Sequence, residues 1–135
     1  VPAFTKCYFH AVWAVKHRAP LLIPAVETVV LASIQRKAET LKCRVFALNG
    51  ALDHIHLALE IPASLAPAHV IGTLKGATSH EINEMGITEE RFNWQDGYGL
   101  ITFGPRALAD VVEYVENQKE RHKLNHLSQG LERIE

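Results

Sequence analysis

Cysteine is nearly absent: only Cys7 and Cys43 occur in 135 residues, and they do not form a CxxC pair. That usage argues against a disulfide-stapled scaffold and fits a reducing cytoplasm. No stretch approaches the 18 or so consecutive apolar residues of a membrane span, and no charged segment followed by an apolar one opens the chain, so neither membrane insertion nor secretion is expected. Charge of one sign is not in excess either, with Lys+Arg 14 against Asp+Glu 15 and a formal net charge of −1. A protein that coats nucleic acid non-specifically needs a basic excess or a basic face, so that class is disfavoured, although a local basic groove is not. Internal repeats, low-complexity segments and linkers are missing too. What remains, 47% hydrophobic and 21% charged residues, reads as a single globular domain over 1–135 with enough bulk to bury its own core.

Hydrophobic patterning divides the chain into seven elements. Phe4 to Val15 reads as a strand that ends in the basic turn Lys16-His17-Arg18. Pro24 suits a first helical position, and Val26, Val29, Val30, Ile34, Ala38 and Leu41 follow at helical spacing. Arg44 to Leu48 and Leu52 to Ile61 read as two strands of a hairpin, with Asn49-Gly50 as the turn signal. Pro67 opens a second helix, striped by Val70, Ile71, Leu74, Thr78 and Ile82 and stopped at Gly86. Leu100 to Phe103 is a fourth strand, Gly104-Pro105 starts a helix of roughly 18 residues, and the tail after Lys123 is polar. The order β-α-β-β-α-β-α predicts an α+β fold of ferredoxin-like type with one additional C-terminal helix. Helices should cover one face of its sheet. The other face is left to the last helix or to a partner.

The most informative stretch is His54-Ile55-His56. On a strand, His54, His56, Ala58 and Glu60 share one face while Ile55, Leu57, Leu59 and Ile61 share the other. The apolar face is the core, so two imidazoles about 7 Å apart at Cα stand together on the opposite face, a spacing at which both reach one metal ion. Half-exposed histidines facing solvent would produce the same pattern, and two ligands do not make a site. In the last helix Tyr114 and Gln118 lie four apart, hence on one helix surface, along the margin of the stripe formed by Leu108, Val111, Val112 and Val115. Taken alone this pair is equally a tyrosine at a core edge beside a solvated amide.

As an ordered set these segments resemble a known family. Tyr8-Phe9-His10-Ala11-Val12-Trp13, Lys16-His17-Arg18-x-Pro20, Asp53-His54-Ile55-His56-Leu57, Leu74-Lys75-Gly76-Ala77-Thr78-Ser79, Trp94-Gln95-x-Gly97-Tyr98-Gly99 and Tyr114-x-x-x-Gln118 together are similar to the HUH single-tyrosine transposases of the insertion-sequence-200/605 group. The resemblance implies that His54, His56 and Gln118 hold a divalent metal, Mg²⁺ or Mn²⁺, and that Tyr114 is the nucleophile. It implies a DNA transposase, a nickase and strand transferase that cuts and rejoins single-stranded DNA through a 5′-phosphotyrosine link without a nucleotide cofactor. Recognition of DNA hairpins at element ends, a homodimer in which the tyrosine helix of one subunit could serve the metal site of the other, and action at the nucleoid of a prokaryotic cytoplasm are implied with it. The alternatives are a domesticated or inactive module that grips single-stranded or hairpin nucleic acid without cutting it, and an unrelated metal-dependent hydrolase.

Lys16, Arg18, Arg44 and Lys75 are the candidate DNA-phosphate contacts, and Lys119, Arg121, His122 and Lys123 could join them in space. Tyr98, in a Gly-Tyr-Gly turn, lacks a helical amide partner and reads as a packed aromatic, and Tyr8 reads as a first-strand residue. His10 reads as core or sheet-face, near the metal at most; His122 and His126 read as favouring the negative pole of the last helix. Asp53 reads as a turn-ending carboxylate that could also orient a histidine. Arg121 stands where many relatives carry histidine.

Overall fold

The computed structural model describes residues 3–124 and 129–134. Four strands, β1 (Tyr8–Ala14), β2 (Arg44–Gly50), β3 (His54–Glu60) and β4 (Gly99–Phe103), form one antiparallel sheet in the order β2-β3-β1-β4. Helices α1 (Pro24–Thr40) and α2 (Pro67–Met85) connect them, and α3 (Leu108–Glu116), α4 (Gln118–Leu124) and α5 (Gln129–Glu132) follow β4. The expected β-α-β-β-α-β succession is therefore present, with β3 and β1 in the middle of the sheet and β2 and β4 at its edges.

Both connecting helices begin with proline, whose fixed φ suits the first turn and whose missing N–H would have had no partner there. Helix α2 ends on Gly86 at φ 61, a left-handed cap whose N–H bonds to the carbonyls of Ile82 and Asn83. Val26, Val30, Ile34 and Ala38 of α1 and Val70, Ile71, Leu74 and Ile82 of α2 are buried against Ala11, Trp13, Ile55, Leu57 and Leu59 of the sheet. This is the face that strand alternation assigns to the core.

The second face is closed by the chain's own C-terminal helices. Helix α3 crosses β2 and β3 and buries Val111 and Val115 against Ala47 and Ala58, with Phe46, Phe103, Ala107 and Val112 around them. Tyr8 lies under this layer, its ring 4.9 Å from Phe46 and 5.8 Å from Phe103, as a packed aromatic.

Several local expectations are corrected. Asn49-Gly50 is not the hairpin turn: β2 runs through Gly50, which pairs with Ile55, and the chain reverses at Leu52-Asp53. The glycine serves a close approach instead, since a Cβ there would lie 2.7 Å from Glu27 Oε2. The first strand starts at Tyr8 rather than Phe4. The third helix is not continuous over 18 residues. Asn117 leaves helical geometry at φ −100, ψ 21, and its side-chain amide donates to the Glu113 carbonyl 2.8 Å away, sharing that acceptor with its own backbone N–H. Nor is the tail only a polar extension, because α5 returns to the sheet beside β1 and β4. His126 and the side chain of Lys123 lie outside the described residues.

Candidate active site

Strand β3 delivers His54 and His56, and adjacent β1 delivers His10 onto the same face, with Val12 opposite His56 in the ladder. All three imidazoles are buried, His56 completely. His56 Nδ1 lies 2.9 Å from His10 Nε2, and His54 Nδ1 lies 2.6 Å from Asp53 Oδ1. Each histidine of the pair is thus held through Nδ1 by a neighbour, which fixes the ring and leaves Nε2 facing inward. Asp53 does more than end a turn.

Helices α3 and α4 bring the other half. Tyr114 and Gln118 are buried rather than marginal, at 5% and 0% exposure, because the second face of the sheet is covered there and the break at Asn117 turns α4 inward. The Tyr114 ring stands 6.0 Å from the His56 ring, edge to face. Arg121 reaches over Tyr114, with its guanidinium carbon 4.9 Å from the ring centroid, and pairs with Glu113 at 2.9 Å. His122, next to Arg121, is the imidazole that turns into the site, its ring 4.8 Å from that of His54 and its Nε2 3.0 Å from Gln118 Oε1.

Glu132 of α5 stands at the centre of this group. Its Oε1 lies 3.1 Å from His56 Nε2, 3.3 Å from His54 Nε2 and 3.5 Å from His122 Nε2. Its Oε2 accepts the Tyr114 hydroxyl and lies 3.4 Å from Gln118 Nε2. Burial works to raise the Glu132 carboxyl, but the close imidazoles of His54 and His56, then the charge of His56 and the Tyr114 hydroxyl, hold it well below the usual carboxylate range. Burial likewise opposes charge on His54, yet the carboxylates of Glu132 and Asp53 outweigh it and raise that imidazole. His56 is lowered, chiefly by burial, and His10 falls to about 4 for the same reason, helped by the neighbouring His56.

This donor set fits a divalent metal. The ligand atoms of His54, His56, His122 and Glu132 lie within 4.8 Å of one another. His54 Nε2 is buried and has no hydrogen-bond partner, since its approach to Glu132 lacks hydrogen-bond alignment. With Nδ1–H committed to Asp53, Nε2 presents a lone pair to a carboxylate oxygen, an arrangement that a cation or a proton between them relieves. Imidazole and carboxylate together suit first-row divalent ions such as Mn²⁺.

The sequence-derived candidates therefore separate. His54, His56, Tyr114 and Gln118 come together, while of the four basic candidates Lys16, Arg18 and Lys75 border the segment 95–97 and Arg44 stands apart. Lys16 and Arg18 belong to a turn in which His17 and Arg18 adopt positive φ, and Arg18 faces Asp53 at 3.7 Å. Arg44 pairs with Glu60 at the far end of the β2–β3 ladder from His54. Lys75 donates to the carbonyls of Gln95 and Gly97 at 2.9 and 2.8 Å, fastening the loop before β4. Lys119 pairs with Glu27 at 3.0 Å. Neither His122, read from the sequence as a helix-pole or basic-groove residue, nor Glu132 was among the metal candidates. His122 carries a legible signal, falling four residues after Gln118 and eight after Tyr114; Glu132, a lone carboxylate in a polar tail, carries none.

The family described as "Transposase IS200 like" matches residues 3–118. The transposase for insertion sequence element IS200 of Salmonella typhimurium is 28% identical over 124 residues, covering 88% of this chain and 81% of the relative. The ISDra2 transposase TnpA of Deinococcus radiodurans is 23% identical over 118 residues, 84% of either chain. A crystal structure of a candidate transposase from Deinococcus radiodurans superposes with a TM-score of 0.72 at 22% identity, covering 87% of this chain and 95% of that one. A tyrosine transposase bound to a REP hairpin superposes with a TM-score of 0.67 at 13% identity, covering 90% and 72%.

Proposed function

This chain belongs to the IS200-like transposase family, and on that premise we propose that it cleaves and rejoins single-stranded DNA through a 5′-phosphotyrosine link at Tyr114. The observation that carries the reading is the convergence of the Tyr114 hydroxyl and the Nε2 atoms of His54 and His56 on one carboxylate. The phenol oxygen attacks the scissile phosphorus, its bond to phosphorus forms as the bond to the 3′ oxygen breaks, and a free 3′-OH is left. A phenol of pKa near 10 is also a fair leaving group, so the link can be passed to another 3′-OH without a nucleotide cofactor. His54, His56 and His122 would hold a divalent ion, Mg²⁺ or Mn²⁺, with Gln118 beside it. When bound, such an ion polarises a phosphoryl oxygen and offsets the charge that develops on it. Asp53 and His10 keep the two strand imidazoles in register, and Arg121 stacks over the phenol.

The substrate we propose is single-stranded DNA flanked by a hairpin, supported by the relative seen with a REP hairpin. Tyr114 stands at the histidines of its own chain, and in the homodimer that the resemblance implies the tyrosine helix would serve either that site or its partner's. Among the described residues no helix is long and apolar enough to cross a membrane.

The test is a denaturing gel of purified protein incubated with a labelled hairpin-flanked oligonucleotide and Mn²⁺. Wild type should carry label as a covalent adduct, Tyr114→Phe should carry none, and His54→Ala should lose cutting while retaining hairpin binding. An adduct persisting in Tyr114→Phe moves the nucleophile elsewhere. Binding without adduct in wild type favours the inactive binding module, and cleavage without adduct favours a hydrolase.

A further inference from the structure

We propose that Glu132 is a donor to the divalent-cation site and the residue that positions the Tyr114 hydroxyl beside it, a role that rests on the reading of Tyr114 as nucleophile. The carboxylate is split between the two halves of the site. Oε1 faces the Nε2 atoms of His54, His56 and His122 at 3.1 to 3.5 Å, while Oε2 accepts the Tyr114 hydroxyl. No other side chain touches both the imidazoles and the nucleophile's oxygen among the described contacts. Residue 132 lies beyond the span 3–118 matched by the family, so membership in it assigns this carboxylate nothing.

Three observations favour a ligand over an accidental neighbour. First, the buried His54 Nε2 lacks a hydrogen-bond partner and faces Oε1 at 3.3 Å; two lone pairs tolerate that approach when a cation lies between them. Second, imidazoles and an amide alone make a neutral donor set, and a hard divalent ion is better held when one donor is anionic. Third, the sheet is shaped to receive this segment. A Cβ at Gly99 would collide with the Arg133 carbonyl and approach Val12 Cγ1 to 2.9 Å, so the backbone beside Glu132 rests on β4 where glycine alone leaves room.

With Oε1 facing the imidazoles that would hold the ion, Oε2 keeps the phenol oxygen on the same carboxylate. Glu132 is accordingly a positioning residue: it orients the Tyr114 oxygen toward the place where a phosphoryl oxygen meets the ion, and it ties α5 to the site.

The experiment titrates Mn²⁺ into the purified full chain, reading free Mn²⁺ by electron paramagnetic resonance, for wild type, Glu132→Gln, Glu132→Asp and Gly99→Ala. Glu132→Gln should weaken Mn²⁺ binding at least tenfold, Glu132→Asp should restore part of it, and Gly99→Ala, which alters no donor, should weaken it by displacing the segment. Hairpin binding without metal should be unchanged in Glu132→Gln, and its adduct rate should fall in kcat with KM for DNA retained. The ¹⁹F resonance of 3-fluorotyrosine at position 114 should move in Glu132→Gln. Mn²⁺ affinity that is unchanged or tighter in Glu132→Gln, or faster adduct formation, overturns the proposal and makes the carboxylate a cover over the site. Failure of wild type to form any adduct would remove the nucleophile reading, while the Mn²⁺ affinities would still decide whether Glu132 is a ligand.

Discussion

Replacing Asp53 by asparagine removes one charge from the site while keeping the shape of the side chain, and its effect can be worked from the geometry. Asp53 Oδ1 lies 2.6 Å from His54 Nδ1, a charge-assisted contact that fixes the tautomer leaving Nε2 free to coordinate. Hydrogen bonds to charged groups contribute about 1.5–3 kcal/mol. Here the side chain is 33% exposed and water shares the carboxylate, so the lower end applies. Asparagine still offers a carbonyl oxygen, a neutral contact that contributes about 1 kcal/mol, which leaves a loss of somewhat under 1 kcal/mol, or roughly threefold in affinity. Asp53→Ala, which removes the acceptor altogether, should cost roughly tenfold, at the weak end of the range seen when an outer partner of a metal-bound imidazole is lost. Calorimetric Mn²⁺ titration of both variants checks the order wild type, Asn, Ala. If both bind Mn²⁺ as wild type does, Asp53 does not hold His54 for coordination and the reasoning is wrong.

Acid should destabilise the metal-free protein above the range where carboxylates titrate. Burial lowers His10 to about 4, whereas an unfolded imidazole titrates near 6.5. Between those values the unfolded chain binds the proton and the folded one does not. Stability therefore falls as pH drops, at up to about 1.4 kcal/mol per pH unit from this group alone. The raised His54 acts in the opposite sense only above about pH 6.5; urea midpoints that stay level from pH 6.5 to 4.5 would contradict a neutral, buried His10. Leu74 of α2 is fully buried in the main core, so Leu74→Ala should cost about 2–5 kcal/mol in urea unfolding, and a loss under 1 kcal/mol would mean that α2 is not packed as described. If Lys16, Arg18 and Arg44 contact phosphates, each alanine variant should flatten the salt dependence of single-strand binding by roughly 0.7 in the log–log slope. Lys75→Ala should change that slope least, because its ammonium already serves the Gln95 and Gly97 carbonyls; a slope change as large as that of Arg18→Ala would return Lys75 to the DNA surface.

The sequence by itself determined the order of strands and helices. Proline at the helix starts, glycine at the end of α2, and the alternation of Ile55, Leu57 and Leu59 with His54, His56 and Ala58 are local signals, written in adjacent residues and read without the fold. The same alternation placed the two histidines on one face, and helical spacing of four named Tyr114 and Gln118 as neighbours. Turn chemistry was less legible: Asn49-Gly50 has the composition of a hairpin turn, but the contact of α1 with β2 uses that glycine for clearance from Glu27. At the break, the Asn117 side-chain amide and backbone N–H share the Glu113 carbonyl, a local contact that periodicity does not register.

Only the tertiary structure decided what closes the second face of the sheet and what completes the site. His10 joins His56 because β1 and β3 pair in one particular register. Asp53 reaches His54 because the hairpin reverses at Leu52-Asp53, and Glu132 arrives from the end of the chain because Gly99 leaves room for the Arg133 carbonyl. The His10 and Glu132 contacts join residues tens of positions apart, set by packing and charge rather than by spacing, whereas Asp53 is the chain neighbour of His54. A strand's period of two reveals which side chains share a face, whereas the partners that meet them there are fixed only once the chain has folded.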